Sequence, residues 1–306
     1  MNFEILIDDS FAKLNMDNTL SPIDNKKVLS LLNDFEDGIW RYKKFQDFIW
    51  NNISETALSL KERNSLVNLP QSSLTESAKK LRLTDKEKDE KGQGSELAEI
   101  VLYGIMKNHY KALSVVPKIF YKQNPQDNAK GADSVHIVVE RNKNYSLWFG
   151  EAKFYSSIED VRLPSIVQSV ENALHTDKLK KENSIVTNLS DFDLLPIDEN
   201  LKKSIKKELS HSESIDGLKS KLNIPILLLY ECEITKEQTE LTDSYKDEVK
   251  EYHKKRATAY FKKQIEKLKD IHKYSEIKFH IILFPVPKKD NIIEKFVSNV
   301  EHYKNQ

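Results

Sequence analysis

Residues 224–230 form an unbroken run of almost only apolar side chains. A strand with one face in water alternates apolar and polar residues, so such a run predicts a strand covered on both faces. Residues 277–284 predict a second strand, which Pro285 and Pro287 would end. Helices packed on both sides of a sheet cover strands of this kind. The run therefore predicts an α/β fold.

The order of elements after residue 95 supports this fold class. The hydrophobic spacing predicts a helix over 95–109. The later elements are expected as strands over 115–121, 133–140 and 146–154, a helix over 164–174, a helical insertion at about 178–221, the first apolar strand, a charged helix over 243–274, the second apolar strand and a helix over 291–303. This order predicts a mixed central sheet flanked by helices.

The first part of the chain has a different pattern. Residues 1–83 are expected to be mainly helical after a short apolar start. Residues 84–94 carry mixed charges, two glycines and no apolar side chain, which predicts a linker between this region and a core domain over 95–306. Residues 36–53 hold aromatic side chains at helical spacing, which favours a packed helix over a stacking platform. Docking of a partner by this region is a further hypothesis.

Composition constrains the partners only weakly. The 48 Lys and Arg residues balance the 48 Asp and Glu residues, so the net charge says nothing about nucleic acid. The basic residues within 243–274, and Lys178, Lys180 and Lys181, fit either a DNA backbone or a solvated face. The single cysteine, Cys232, excludes an internal disulfide and is interpreted as a core residue. Neither a signal peptide nor a membrane-spanning run is recognisable, so a soluble cytoplasmic protein is expected.

The chemistry is expected where two neighbouring strands meet. Asp133 opens the strand over 133–140, and Glu151 and Lys153 close the strand over 146–154. Because side chains alternate along a strand, both sets lie on an apolar, core-directed face. A three-residue loop at 142–144 would place Asp133 opposite Lys153, and all three side chains would converge. A two-residue loop would put Asp133 on the other face.

Two carboxylates and an amine held together suit phosphodiester hydrolysis. The oxygens of Asp133 and Glu151 are ligands that Mg²⁺ prefers, and Mn²⁺ accepts similar ligands. A bound cation polarises a phosphodiester oxygen and acidifies a water molecule. Lys153 would orient that water and offset the charge that develops on the phosphate. The carbonyl of Ala152 is a further candidate ligand.

These residues resemble the signature of the PD-(D/E)xK nuclease superfamily: an Asp, then Glu-x-Lys one strand later, after a helix that carries a glutamate. The resemblance implies a restriction-endonuclease-like core, with Asp133, Glu151 and Lys153 as the metal-binding and catalytic residues. Ala132 stands where the signature has its proline, a position that varies in the superfamily.

The resemblance also implies an acidic residue from the first core helix. Glu96 lies in the first turn, where the helix dipole already favours an acid. Glu99 lies in an apolar stretch, where a lone carboxylate needs a partner such as a metal. Glu99 is therefore the preferred candidate for both the metal shell and the catalytic set. Gln168 would match a glutamine that is common on the second core helix.

The wider runs at 95–100, 131–133 and 150–155 are similar to the HamA family, the nuclease subunits of Hachiman anti-phage defence systems. The resemblance covers roughly residues 90–290. It implies a metal-dependent deoxyribonuclease and a partner, a superfamily 2 helicase (HamB), which holds the nuclease inactive until it meets aberrant DNA. The sequence has no Gly-x-x-x-x-Gly-Lys-Ser/Thr motif, so any ATP hydrolysis is expected from the partner.

Two alternatives stay open at this point. The chain would be a catalytically inactive nuclease-fold module that docks onto a helicase or DNA, or a structural protein in which Glu-x-Lys arises by chance. In the second case the charges form an ordinary ion pair at a strand end. The histidines form no His-Glu-x-x-His motif and there is no cysteine cluster, so a structural zinc is not expected.

Overall fold

A computed structural model gives the fold. It describes residues 2–15, 17–83, 95–121, 131–140 and 144–306. The predicted linker at 84–94 lies outside the described residues, and so do two of the three residues of the predicted hairpin loop at 142–144.

The strands of the described residues form a mixed sheet. They are β1 (Glu4–Ser10), β2 (Lys26–Leu32), β3 (Phe35–Glu36), β4 (Ile39–Trp40), β5 (Leu113–Val116), β6 (Ser134–Val139), β7 (Tyr145–Tyr155), β8 (Leu222–Glu231) and β9 (Lys278–Val286). Within this part of the chain, seven strands pair in the order β1-β2-β9-β8-β7-β6-β5, and β3 pairs with β4 separately. The pairs among β2, β9, β8 and β7 are parallel, whereas β1, β6 and β5 join their neighbours antiparallel.

Helices cover both faces of the sheet. They are α1 (Phe11–Leu14), α2 (Tyr42–Asn52), α3 (Ser54–Ala57), α4 (Leu60–Ser65), α5 (Pro70–Lys80), α6 (Ser95–Asn108), α7 (Lys118–Tyr121), α8 (Leu163–Leu174), α9 (Thr176–Asn188), α10 (Ser190–Asp193), α11 (Glu199–Glu208), α12 (Glu233–Lys236), α13 (Asp243–Leu268) and α14 (Lys289–Lys304), with 3-10 turns at Ile215–Gly217, Lys219–Lys221 and Tyr274–Glu276. One core contains α8 and α13, and the other contains α2, α6 and α14. The predicted α/β architecture, a mixed sheet flanked by helices, is confirmed.

The apolar run that predicts a doubly covered strand is β8. Every residue of 222–230 is buried. Ile226 and Leu228 join the core that contains α8 and α13, whereas Leu227 and Leu229 join the core that contains α6 and α14. Burial on both faces removes the need for alternation, which is why the run reads as continuous.

The N-terminal region contributes strands as well as helices. Residues 1–83 were expected to be mainly helical, yet β1 and β2 extend the central sheet beside β9. Residues 28–32 are buried on both faces, so they lack the alternation by which a strand is recognised. These residues therefore share the sheet and its cores with the rest of the chain.

The predicted helix over 36–53 begins later than expected. Its first residues form the β3–β4 hairpin, and the helix, α2, begins at Tyr42. Asp37 and Gly38, with φ of 52° and 75°, form the turn, and Asp-Gly favours a two-residue hairpin turn with positive φ at both positions. Phe45 and Ile49 are fully buried, which confirms that the aromatic stripe packs in the core.

Three other predicted boundaries were wrong. The strand over 115–121 ends at Val116, because Pro117 breaks the ladder and a short helix follows. The charged helix ends at Leu268 instead of at residue 274. Leu268 is also the last buried residue of the helix. The strand β9 continues through Pro285. Its neighbour β2 pairs with it only as far as Leu283. The missing N–H of Pro285 therefore breaks no hydrogen bond to β2.

Within the described ranges, none of the helices combines the length and the apolar composition that crossing a membrane requires.

The close packing of α6 on β7 at Gly150 gives a stability prediction. A Cβ at this position would lie 2.3 Å from the Ser134 hydroxyl oxygen and 2.9 Å from a methyl carbon of Leu102. We expect Gly150→Ala to lower the free energy of unfolding by about 1–3 kcal/mol, because the buried neighbours must shift. The matched control is Gly217→Ala, where a Cβ would meet nothing within 4 Å. Chemical denaturation measures both, and equal stabilities would contradict the prediction.

Candidate metal centre

The pairing of β6 with β7 determines where the predicted site residues lie. Ser134 pairs with Gly150, and the backbone N–H of Asp133 donates to the Gly150 carbonyl over 2.8 Å. At the other end, the N–H of Glu140 donates to the Asn144 carbonyl. The predicted register, with Asp133 opposite Lys153, was wrong by two residues, since Val139 instead of Arg141 pairs with Tyr145. A shift of two leaves every side chain on its predicted face.

The structure brings Asp133, Glu151 and Lys153 together. The Lys153 ammonium nitrogen lies 3.1 Å from Glu151 Oε2 and 3.5 Å from Asp133 Oδ2. The backbone N–H of Ala152 donates to the same Asp133 oxygen over 3.0 Å. The side chain of Glu151 is 8% exposed, and those of Asp133 and Lys153 are 20% and 24% exposed. The group therefore lies at the edge of the core, within reach of solvent.

The electrostatics of the group favour an added cation or proton. Burial, and then the negative charge of Asp133, raise the pKa of Glu151 to about 7, against the opposing effect of Lys153. Burial alone would lower the pKa of Lys153, but the two carboxylates more than offset it, so this pKa is raised above its ordinary value. The lysine is therefore a fixed positive charge, and one ammonium balances only one of two adjacent carboxylates.

The oxygen donors fit a hard divalent cation. The N–H of Ala152 faces Asp133, and in an extended strand the N–H and C=O of one residue point to the same side. The Ala152 carbonyl therefore faces the edge on which Asp133 lies. The described residues contain no group of three or more His, Cys, Asp or Glu side chains placed to hold a metal ion. A cation here would take two carboxylates, a backbone carbonyl and water, a set that suits Mg²⁺ because it retains waters.

Glu99, on α6, is close enough to Glu151 for its charge to act on it. It is 2% exposed, and its charge contributes to the raised pKa of Glu151. The apolar side chains of α6 pack on the face of the sheet opposite that of Leu147 and Phe149, the face that Glu151 shares. The role of Glu99 as a metal ligand stays a prediction. Glu96 accepts the backbone N–H groups of residues 82 and 83, which agrees with its exclusion from the site.

The match of Gln168 to a glutamine of the second core helix stays a prediction. Its side chain is exposed and donates to Glu171 and Asn172 on its own helix. The buried side chains of α8, such as Val167 and Val170, face the core instead.

Sequence reasoning missed two residues beside the site, Lys118 and Glu182. They form an ion pair of 2.8 Å with side chains 0% and 4% exposed, and Glu182 Oε1 accepts the backbone N–H of Ala132 over 3.1 Å. A proline at position 132 would have no N–H to donate, which gives a physical reason for the departure from the signature. No sequence signal marks Glu182, because it stands among the lysines of the predicted insertion.

Four of the eight Lys and Arg residues of α13 form ion pairs with acids. The ion pairs join Lys246 with Glu4 and Asp243, Lys254 with Glu251, Arg256 with Glu159 and Asp160, and Lys267 with Glu171. Both interpretations of the helix, a solvated face and a contact with the DNA backbone, therefore stay predictions. Cys232 is buried, and burial raises the pKa of its thiol, which confirms the core interpretation.

The raised pKa of Glu151 predicts a pH-dependent stability in EDTA. Between its ordinary value of 4.5 and about 7, the folded protein holds the proton more tightly than the unfolded chain, so the contribution of this group to stability falls as pH rises. Glu151→Gln removes the ionisation. We expect the stability of the variant, relative to the wild type, to increase by roughly 2 kcal/mol between pH 5 and pH 8.

Chemical denaturation at both pH values measures this difference, with the exposed Glu233→Gln as the matched control. A difference between Glu151→Gln and the wild type that is the same at pH 5 and pH 8 would contradict the burial of an ionisable carboxyl group at this position.

One comparison with known proteins agrees with the family resemblance seen in the sequence. A family model described as HamA matches residues 9–300 of the 306-residue chain. No curated protein matches the chain.

Proposed function

The chain belongs to the HamA family, and we propose that it is a metal-dependent deoxyribonuclease of a Hachiman anti-phage defence system. The observation that carries the proposal is the convergence of Asp133, Glu151 and Lys153 at one end of the β6–β7 pair. The family supports a role in defence, and the side chains supply the chemistry. The reaction is the hydrolysis of a phosphodiester bond in DNA.

Each residue has a distinct task in this reaction. Asp133 and Glu151 would hold Mg²⁺, or Mn²⁺ in its place, together with the carbonyl of Ala152 and water. Such a cation would supply the polarisation of the phosphodiester and a more acidic water molecule. Lys153 keeps its proton, orients that water and offsets the charge that develops on the phosphate. Glu99 would complete the metal shell from α6.

The pKa of Glu151 fits this task. Its carboxyl group must lose its proton to bind a cation, and metal binding to such a group depends on pH. Because burial and Asp133 raise the pKa to about 7, a cation competes with a proton near neutral pH. A divalent cation bound by Asp133 and Glu151 would therefore replace the proton on Glu151.

We propose that the core has the PD-(D/E)xK fold. Support comes from the order helix α6, antiparallel β6 and β7, helix α8 and parallel β8, with the site residues at the end of the β6–β7 pair. The seven-stranded sheet of the described residues is wider than these elements alone because β1, β2 and β9 extend it.

The proposed partners are DNA and a superfamily 2 helicase of the HamB kind. The family points to a Hachiman system, and the chain has no Walker-type phosphate-binding motif of its own. ATP-driven movement on DNA would therefore come from the helicase subunit.

The test is the cleavage of plasmid DNA by the purified chain in Mg²⁺. We expect cleavage that EDTA abolishes and that Lys153→Ala reduces by about 100-fold or more, because an electrostatic group aimed at the reacting phosphate is lost. Lys43→Ala, which removes the same charge from an exposed position, is the matched control and should cleave as the wild type does.

Cleavage that persists in Lys153→Ala would overturn the assignment of the site. If the chain alone does not cut, the assay is repeated with the helicase and ATP. Cleavage only in that mixture supports a nuclease that its partner activates, and no cleavage there supports the inactive docking module.

A further inference from the structure

A buried ion pair lies directly behind Asp133. Lys118, from α7, and Glu182, from α9, are separated by 64 positions in the sequence, yet their charged groups meet at 2.8 Å in the interior. Both side chains are at least nine-tenths buried. Charges are expensive to bury unless they are paired and hydrogen-bonded, so an arrangement of this kind calls for a structural reason.

We propose that Lys118 and Glu182 are positioning residues that fix Asp133 for cation binding. The inference rests on the proposed function, since it concerns the same metal site. Neither residue touches the cation; both act through the backbone of residues 131–133.

The carboxylate of Glu182 is used on both oxygens. Oε2 accepts from the Lys118 ammonium group, and Oε1 accepts the backbone N–H of Ala132 over 3.1 Å. Each oxygen therefore has a donor, which satisfies a buried carboxylate. The bond to Ala132 holds the peptide immediately before Asp133.

Gly131 allows this approach because it has no side chain. A Cβ there would lie 1.6 Å from Glu182 Oε1 and 2.8 Å from its carboxyl carbon. No other residue type fits while the carboxylate stays in place. The glycine and the ion pair are therefore parts of one arrangement.

Asp133 is held from its other side by β7. Its N–H donates to the Gly150 carbonyl, and its Oδ2 accepts the N–H of Ala152. Hydrogen bonds thus hold residues 132–133 between the Glu182 carboxylate and β7, the strand that carries Glu151. The position of the Asp133 carboxylate relative to the Glu151 carboxylate depends on these hydrogen bonds.

The lysine is anchored to the helix that carries Glu99. The backbone N–H of Lys118 donates to the Tyr103 hydroxyl group over 3.4 Å, and that hydroxyl donates to the Val116 carbonyl over 2.5 Å. Tyr103 is a fully buried residue of α6. The helix α9 therefore contacts the backbone before Asp133 through Glu182, and α7 and α6 support that contact through Lys118 and Tyr103. An apolar pair of the same volume would fill the space but would leave the Ala132 N–H without its acceptor.

The test measures cation affinity directly on the full chain. Mn²⁺ is titrated calorimetrically into the wild type at pH 8, and Asp133→Ala should abolish the binding. We expect Glu182→Ala and Gly131→Ala each to raise the dissociation constant by roughly 10- to 100-fold, the usual effect of losing a group that orients a ligand. Glu182→Gln, which keeps an acceptor for Ala132, should raise it less.

The matched control is Lys26→Met. Lys26 is also fully buried, but it lies in β2, which β9 and β8 separate from β7. Its loss should lower the melting temperature and leave the Mn²⁺ dissociation constant unchanged. Thermal unfolding of every variant is recorded beside the titration, and Gly131→Ala probes the arrangement with both charges present if Glu182→Ala does not fold.

The outcomes separate the two proposals. A wild type that binds Mn²⁺, with folded Glu182 and Gly131 variants that bind it equally well, would overturn the positioning role alone. A wild type that binds no Mn²⁺ would overturn the metal site of the proposed function, and the positioning role with it. Weaker binding in the Glu182 and Gly131 variants, with Lys26→Met unchanged, supports the positioning role.

Discussion

The antiparallel pairing of β6 with β7 decides where each polar group of the site lies. Side chains alternate with a period of two, so a register slip of one residue would turn Asp133 away from Glu151 and Lys153. The observed register keeps all three together, with the Asp133 N–H bonded to Gly150. The packing of α6 against Gly150 and the Glu182 contact with Gly131 both act on this same pair of strands.

Two carboxylates at the edge of an apolar core repel each other, and the fold tolerates them by three means. Lys153 neutralises part of the charge, the Ala152 N–H solvates Asp133, and partial exposure leaves room for water. Burial, and then the remaining charge of Asp133, raise the pKa of Glu151 to about 7. This imbalance distinguishes the group from an ordinary ion pair at a strand end, in which one cation meets one anion.

Local patterns predicted the fold class and the convergence of the site, because strand parity and a short hairpin depend only on neighbouring residues. The register was wrong by two because the loop closes at Glu140 and Asn144, a choice that side-chain alternation does not distinguish. The strand β2 and the residue Glu182 escaped prediction for another reason. Their partners, β9 and Ala132, are distant in the sequence, and no local pattern marks such contacts.

The pairing of β2 with β9 determines how fragments of the chain would fold. Residues 1–83 supply two strands of the sheet, whereas residues 95–306 supply the neighbouring strand β9. A fragment of residues 95–306 would expose the unpaired backbone of β9, a template for pairing with other chains. The two fragments would be expected to complement each other by strand addition, as the halves of a split protein do, rather than fold as independent units.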